Sequence, residues 1–355
     1  MRRIYLFTVV ILLCAFGARA QLLSPGSSTT GTGVSCAIGP NVAAIPAPAQ
    51  AAGFNTCVAN WDFGSTSNFT YNGATYKFSQ PASGGGITGW LSCSGPQANA
   101  LWWAKGYNSP NNPPCSDFNI INDSSIGRSV LSMIFTAADA ANSVSATWMA
   151  LWTGGGGVPV TSAVYKFPEN LFIVAKLQML PANTYPYSTQ QACKPPNVNG
   201  TYCELMNFFA AQTSNPQFME MDFLEMDGIT SGAAYACGTN CGPGWSYGNA
   251  ARFAYTEYGT LVTSDGTQSY LCGYQDGARF SYCGKVTTYV DDLITWGLGV
   301  GSNYFNLCYN GGPCVPPDAG VTPEMRIQYI RVFSCSNWNG GGPDVCNRSV
   351  ITTPP

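Results

Sequence analysis

Apolar residues along this chain come in short runs, each cut off within a few positions by Gly, Pro or Asn. Thr70–Phe78, Ser129–Phe135, Ser145–Trp152, Leu171–Leu180, Phe218–Glu225, Gly259–Thr263, Val286–Val290 and Met325–Phe333 have the composition and length of strands. Long stretches with a helical apolar period are absent. Ala137–Ser143 fits a short helix, and Cys203–Ala211 fits either state. Many short strands separated by turn residues predict an all-β sandwich or barrel. In the run Met325–Phe333, regular alternation puts Arg326 and Gln328 on one side and Met325, Ile327, Tyr329 and Arg331 on the other. That alternation is imperfect, as expected where long polar side chains cover an apolar sheet.

The ends of the chain differ from its body. Arg2 and Arg3 precede an apolar run from Ile4 to Phe16, followed by Gly17-Ala18-Arg19-Ala20. This is the three-part form of a secretory signal, with cleavage expected after Ala20. The run is short for a hydrocarbon crossing, and no later stretch suggests stable membrane insertion. The expected organisation is a signal peptide at 1–20, an irregular Ser/Gly/Ala/Pro-rich leader at 21–52, one β-sandwich domain at 53–335, and a loose tail at 336–355 held by Cys346.

Composition narrows the function. Only 9% of residues are charged and the net charge is −3, with no basic run beyond the first residues. Nothing there would grip a polyanion, so nucleic acid is not an expected partner. An uncharged, hydroxyl-rich ligand suits such a surface better. The 15 cysteines include Cys14 in the signal segment, which leaves an even set for as many as seven disulfides in an exported protein. Sequons at Asn68, Asn122, Asn199 and Asn347 permit glycosylation. The chain has no histidine. That excludes Ser-His-Asp and Cys-His nucleophile systems and histidine-based zinc sites. Acid–base work falls to carboxylates, Tyr, Cys or Lys, and no metal or cofactor is expected.

The segment Phe218-Met219-Glu220-Met221-Asp222-Phe223-Leu224-Glu225 sets three acids among bulky apolar residues. Buried carboxylates are costly unless compensated, so a chain this poor in charge has reason to place them there. On a helix, Glu220 and Glu225 would diverge by about 140°. On a strand, Glu220 and Asp222 share a face, whereas Glu225 joins them only if a bulge near Phe223 or Leu224 supplies one extra residue. The two glutamates would then stand about four strand rises apart, roughly 13 Å between backbones. A concave sheet would tilt their carboxyls to about 5 Å, the separation needed for double displacement at a sugar's anomeric carbon.

The string Glu220-Met221-Asp222-Phe223-Leu224-Glu225 resembles the catalytic signature of the concanavalin-like glycosidase clan, a β-jelly-roll fold. The resemblance implies that Glu220 is the nucleophile, Asp222 its assistant and Glu225 the acid/base. The segments Tyr165–Phe167, Ala175–Pro181 and Met325–Phe333 resemble strands of glycoside hydrolase family 16, the laminarinase and lichenase type. Family 7 cellulases are the rival, on the Glu-Met-Asp core, the many cysteines and Cys237-Gly238-Thr239-Asn240-Cys241-Gly242. Either family implies a β-glucan polysaccharide or oligosaccharide as partner, and the expected activity is endo-acting, retaining cleavage of β-1,3 and/or β-1,4 linkages.

A glycan needs aromatic platforms for its sugar faces. Trp245, Tyr247, Trp103 and Trp148 are the expected substrate-binding residues. Trp245 and Tyr247 are favoured by their place in a Gly/Pro-rich loop after the acids. Trp102 and Trp103 are adjacent, so at most one of them faces a groove. Trp90 and Trp152 are further candidates, and Asn207 and Gln178 are possible donors to sugar hydroxyls. A noncatalytic glycan-binding protein is the alternative from another class. It would use the same sandwich without requiring the three acids to meet. The sequence leaves oligomeric state open.

Overall fold

Residues 35–38, 41–63, 68–71, 74–77, 91–93, 102–105, 111–144, 146–151, 170–180, 204–212, 219–227, 231–237, 245–247, 254–264, 269–275, 282–286, 294–301, 316–335 and 346–347 are described by a computed structural model of the chain. In chain order they form β1 (Ser35–Ile38), β2 (Asn41–Ala44), α1 (Ala47–Ala51), β3 (Thr56–Asp62), β4 (Asn68–Tyr71), β5 (Ala74–Lys77), β6 (Leu91–Ser92) and β7 (Trp102–Lys105). A single 3-10 turn at Cys115–Asp117 precedes β8 (Phe118–Asp123), β9 (Arg128–Ile134), α2 (Ala137–Ala141), β10 (Ala146–Leu151) and β11 (Leu171–Leu180). Then come β12 (Glu204–Gln212), β13 (Met219–Asp227), β14 (Ser231–Cys237), β15 (Trp245–Tyr247) and β16 (Thr256–Ser264). The last are β17 (Ser269–Gln275), β18 (Tyr282–Val286), β19 (Ile294–Gly301) and β20 (Glu324–Ser334). Among the described residues, α-helix is confined to two short pieces, α1 and α2, and the all-β reading holds. The ambiguous segment after Cys203 is a strand.

Two large sheets make the sandwich. The front sheet runs β15-β14-β13-β12-β19-β10-β7-β6, and the back sheet runs β18-β17-β16-β11-β20-β9-β8, with β3 also paired to β20. Pairing is antiparallel throughout, except for β6 with β7. Two small hairpins, β1-β2 and β4-β5, stand apart from them. The run read as one strand at 70–78 is instead covered by two paired strands, β4 and β5, with residue 78 outside the described residues.

Alternation defines which faces meet. On the back sheet Ile173, Ala175, Leu177, Ile330, Val332 and Trp61 are fully or almost fully buried. On the front sheet Trp102, Ala104 and Met149 are likewise buried. The rings of Trp61 on β3 and Trp102 on β7 meet edge to face at 5.1 Å, which bridges the two sheets. These residues fix the inner face of each sheet.

The closing strand departs from simple alternation. Tyr329 pairs with Lys176 while Ile327 pairs with the next residue, Leu177, so Gln328 is an extra residue on β20. The bulge reverses the parity beyond it. Ile327 and Ile330 therefore share the inner face, and Tyr329 and Arg331 join Arg326 outside. There the Tyr329 hydroxyl donates to Glu257, and the Arg331 guanidinium lies 3.6 Å from the centre of the Tyr329 ring. The expected pairing of Gln328 with Arg326 on one face is corrected by this inserted residue.

The outer face of the back sheet carries a second apolar cluster. Phe172, Val174, Leu261, Cys272, Tyr274 and Phe333 pack with Ile45, Ala49, Ala52 and Phe54, and Cys346 lies against them. Phe172 stacks with Phe333 and meets Tyr274 edge to face. Gly259 sits under them: a Cβ there would stand 2.6 Å from the Ile173 carbonyl oxygen. The stretch read as an irregular leader thus carries β1, β2 and α1, and its last turns cover a sheet. A disulfide joins Cys335 to Cys346, and the Asn347 N–H donates to the Ala52 carbonyl at 2.9 Å. A second disulfide joins Cys93 to Cys115. The segment expected to be a signal, 1–20, and most of the tail lie outside the described residues.

Candidate active site

The acid segment is strand β13, third from one edge of the front sheet. Its register shifts near Phe223 against both neighbours, and against β12 it shifts once more between Glu204 and Met206. Against β12, Asp222 is opposite Phe209 and Leu224 is opposite Phe208, so two steps on β13 match one on β12. Against β14, Asp222 is opposite Tyr235 and Glu225 is opposite Ala233, so three steps match two. Phe223 is the inserted residue.

This insertion determines where the acids fall. Glu220, Asp222 and Glu225 are opposite Ala211, Phe209 and Asn207, which are alternate residues of β12. They are also opposite Cys237, Tyr235 and Ala233, which are alternate residues of β14. The three acid positions therefore share one face of the sheet.

That face can be traced across the sheet to strands whose burial is known. Asn207 is opposite Gly299, Gly299 is opposite Trp148, and Trp148 is opposite Lys105. The neighbouring row runs Asp222, Phe209, Gly297, Ala150, Trp103. These positions alternate with Met149, Ala104 and Trp102, which are buried toward the back sheet. The acid positions thus lie on the face turned away from the sandwich core, and the positions of Trp103 and Trp148 lie on it with them. Of the adjacent pair, Trp102 belongs to the core.

Other expected site residues fall elsewhere. Trp245 and Tyr247 on β15 are opposite Ala234 and Gly232, the alternate set, while Ser246 is opposite Ala233 in the row of Glu225. The register does not bring Trp245 and Tyr247 onto the face of the acids. Gln178 lies in the back sheet, and Trp90 and Trp152 fall outside the described residues. Tyr235 and Cys237 flank the acids without having been singled out.

Perturbed carboxyls among the described residues lie away from this face. Asp123 accepts from the Ser125 N–H at 2.9 Å and hydroxyl at 2.6 Å, from Tyr255 at 2.7 Å and from Arg326 at 3.0 Å. Burial opposes its ionisation, but these donors outweigh burial and hold its carboxyl below the usual carboxylate range. Arg326 also pairs with Glu324 at 2.7 Å. This network ties β8, β20 and the start of β16 together in the back sheet.

Asp117 is the opposite case. It is 3% exposed, and one carboxyl oxygen has no hydrogen-bond donor. Its neighbour Asp139 closes the capping box of α2, accepting from the Thr136 N–H and hydroxyl, each at 2.6 Å. Burial first, and then the Asp139 charge, push the Asp117 carboxyl up to about 8. The folded protein therefore holds a proton that the unfolded chain releases at an ordinary carboxylate pH. Stability is fully present below that lower value and falls as pH rises toward about 8, by up to about 1.4 kcal/mol per pH unit. Asp117→Asn is expected to raise the melting temperature at pH 7 and to flatten its decline between pH 4 and 8. Thermal unfolding across that range checks this.

No protein-family model matches the chain, and no curated protein does. Among solved structures, the chain is similar to a Bacteroides ovatus mixed-linkage glucan enzyme of glycoside hydrolase family 16, bound to a G4G4G3G product. Identity is 12%, the TM-score is 0.40, and the match covers 65% of this chain and 94% of that one. A prokaryotic β-1,3-1,4-glucanase (lichenase) from a mouse hindgut metagenome matches at 11% identity and TM-score 0.38, covering 66% and 92%. The kappa-carrageenase of Pseudoalteromonas carrageenovora matches at 11% identity and TM-score 0.37, covering 63% and 84%.

Proposed function

We propose that the chain is a secreted, retaining glycoside hydrolase acting within β-1,3 and/or β-1,4 glucans. The observation that carries this reading is the residue inserted at Phe223, which returns Glu225 to the face of Glu220 and Asp222. Without that insertion, acids spaced as 220, 222 and 225 could not all stand on one side of a strand. Inserting one residue interrupts the ladder, and the result here is that Glu220, Asp222 and Glu225 share the outward face, with Asp227 at the end of the strand following on the same side.

The chemistry follows from two carboxylates on one side of a sugar linkage. A Glu220 carboxylate oxygen attacks the anomeric carbon while Glu225 gives its proton to the departing glycosidic oxygen. That leaves an ester between Glu220 and the sugar. Glu225, now ionised, takes a proton from water, and the water oxygen attacks the same carbon and frees Glu220. Two inversions give net retention. Asp222, between them in the row of Phe209, orients Glu220 and adds the negative charge that keeps Glu225 protonated. Trp103 and Trp148, on the same face, are the proposed platforms for sugar rings further along the glycan. Neither metal nor cofactor is needed for these steps.

Export is part of the same proposal. It rests on the Arg-led apolar segment before Ala20, the disulfides, and the exposed sequon Asn122. No helix among the described residues is long and apolar enough to cross a membrane.

The test is a reducing-sugar assay on laminarin, mixed-linkage glucan, xyloglucan and soluble cellulose, with proton NMR of the first product. At least one glucan is expected to be cleaved, and the newly formed end is expected to appear first as the β anomer. An α anomer would reject double displacement. Retention of glucan on an affinity gel without cleavage would make the protein a glycan-binding one.

A further inference from the structure

The acid/base position has a distinctive neighbourhood. Across β14 its partner is Ala233, which has no polar side-chain atom. Across β12 its partner is Asn207. Asn207, in turn, has Gly299 as its partner on β19, a residue with no side chain. Each of the two is therefore the other's sole cross-strand neighbour with hydrogen-bonding side-chain chemistry. Directly opposed residues on antiparallel strands have Cβ atoms about 4.5–5.5 Å apart, and the inserted Phe223 puts both positions on the outward face.

The residue type fits the task. Glu225, as assigned above, must be protonated for the first half of the reaction and ionised for the second. A Lys opposite it would favour the ionised form throughout, and an Asp would favour the protonated form. A carboxamide is neutral at every working pH and has both a donor and an acceptor. It can donate N–H to the carboxylate or accept the O–H of the acid, so one neutral group serves both states. The strands flanking Glu225 carry no basic residue, so the charge acting on its proton comes from the acids of its own strand, and Asn207 is the neutral group directly opposite it.

We infer that Asn207 is a positioning residue for Glu225, holding the acid/base oriented in both protonation states. The inference rests on the glycosidase reading and adds to it a residue that acts through Glu225 rather than on the sugar.

The leaving group separates this role from substrate binding. A 2,4-dinitrophenyl group departs without a proton, whereas a phenyl group needs one. Asn207→Leu should therefore lower kcat/KM for phenyl β-cellobioside or β-laminaribioside about 10- to 100-fold, a part of the usual general-acid contribution. The 2,4-dinitrophenyl counterpart should change by less than about threefold. Asn207→Gln should recover much of the loss. Asn207→Asp should move the alkaline limb of the phenyl-glycoside profile to higher pH, because a like charge holds the Glu225 proton. Equal losses with both leaving groups would make Asn207 a binding or folding residue and overturn the inference. So would an unmoved limb. Glu225→Gln, run alongside, distinguishes the two readings: if it too shows no dependence on leaving group, the assignment of Glu225 fails, and the role of Asn207 fails with it.

Discussion

Removing either glutamate is expected to abolish turnover, and sodium azide is expected to restore it by two different stereochemical routes. Glu220→Ala should lower kcat on the cleaved glucan by about 10⁴-fold or more, since the covalent intermediate can no longer form. Glu225→Ala should cost about 10²–10⁴-fold on the same substrate. With an activated aryl glycoside, azide then enters the space that the deleted carboxylate filled. In Glu220→Ala it replaces the nucleophile and gives the α-glycosyl azide by a single inversion. In Glu225→Ala it attacks the glycosyl-enzyme where water would, and gives the β-glycosyl azide. Product NMR reads the two directly. If the anomers came out exchanged, the two roles would have to be exchanged as well. If both variants kept wild-type turnover, the strand would not be catalytic.

The largest expected stability effect lies one residue away from a proposed sugar platform. Trp102 is fully buried against Trp61 of the opposite sheet, ring centres 5.1 Å apart. Trp102→Ala would leave a cavity between the two sheets, with an expected loss of about 3–5 kcal/mol in urea unfolding. Trp103→Ala, on the outward face by register, should cost less than about 1 kcal/mol and weaken glucan retention on an affinity gel instead. Adjacent residues with separate readouts test the assignment of faces on which the acid site depends. A large stability loss at Trp103 with none at Trp102 would mean that the faces have been assigned the wrong way round.

Much of this was legible in the residues because a strand's period of two is strict. Leu171–Leu180 is a strand with the bounds expected from its apolar run. The need for one extra residue near Phe223 followed from asking how Glu225 could share a face with Glu220. Bulges that no chemistry demanded were not foreseen. The insertion at Gln328 is silent in composition, since Ile, Gln and Tyr all suit a strand. The covering segment at 45–54 was hidden for another reason. Its buried residues Ile45, Ala49 and Ala52 have helical spacing, yet Ala and Pro read as loop material beside so many Gly and Ser. Trp245 and Tyr247 were favoured by proximity along the chain. Yet in Trp245-Ser246-Tyr247 it is the serine whose position falls in the row of Glu225.

The patch over the outer back sheet ties two distant parts of the chain together. Ile45, Ala49 and Ala52 come from near the start of the described chain and Cys346 from near its end, and both lie on the same aromatic bed of Phe172, Phe333 and Tyr274. The backbone joins them through the Asn347–Ala52 hydrogen bond. Two segments far apart in sequence are thus held at one spot, on the sheet that does not carry Glu220, Asp222 and Glu225. A change that loosens this cover would therefore act on stability from the sheet opposite the one that carries the carboxylate positions.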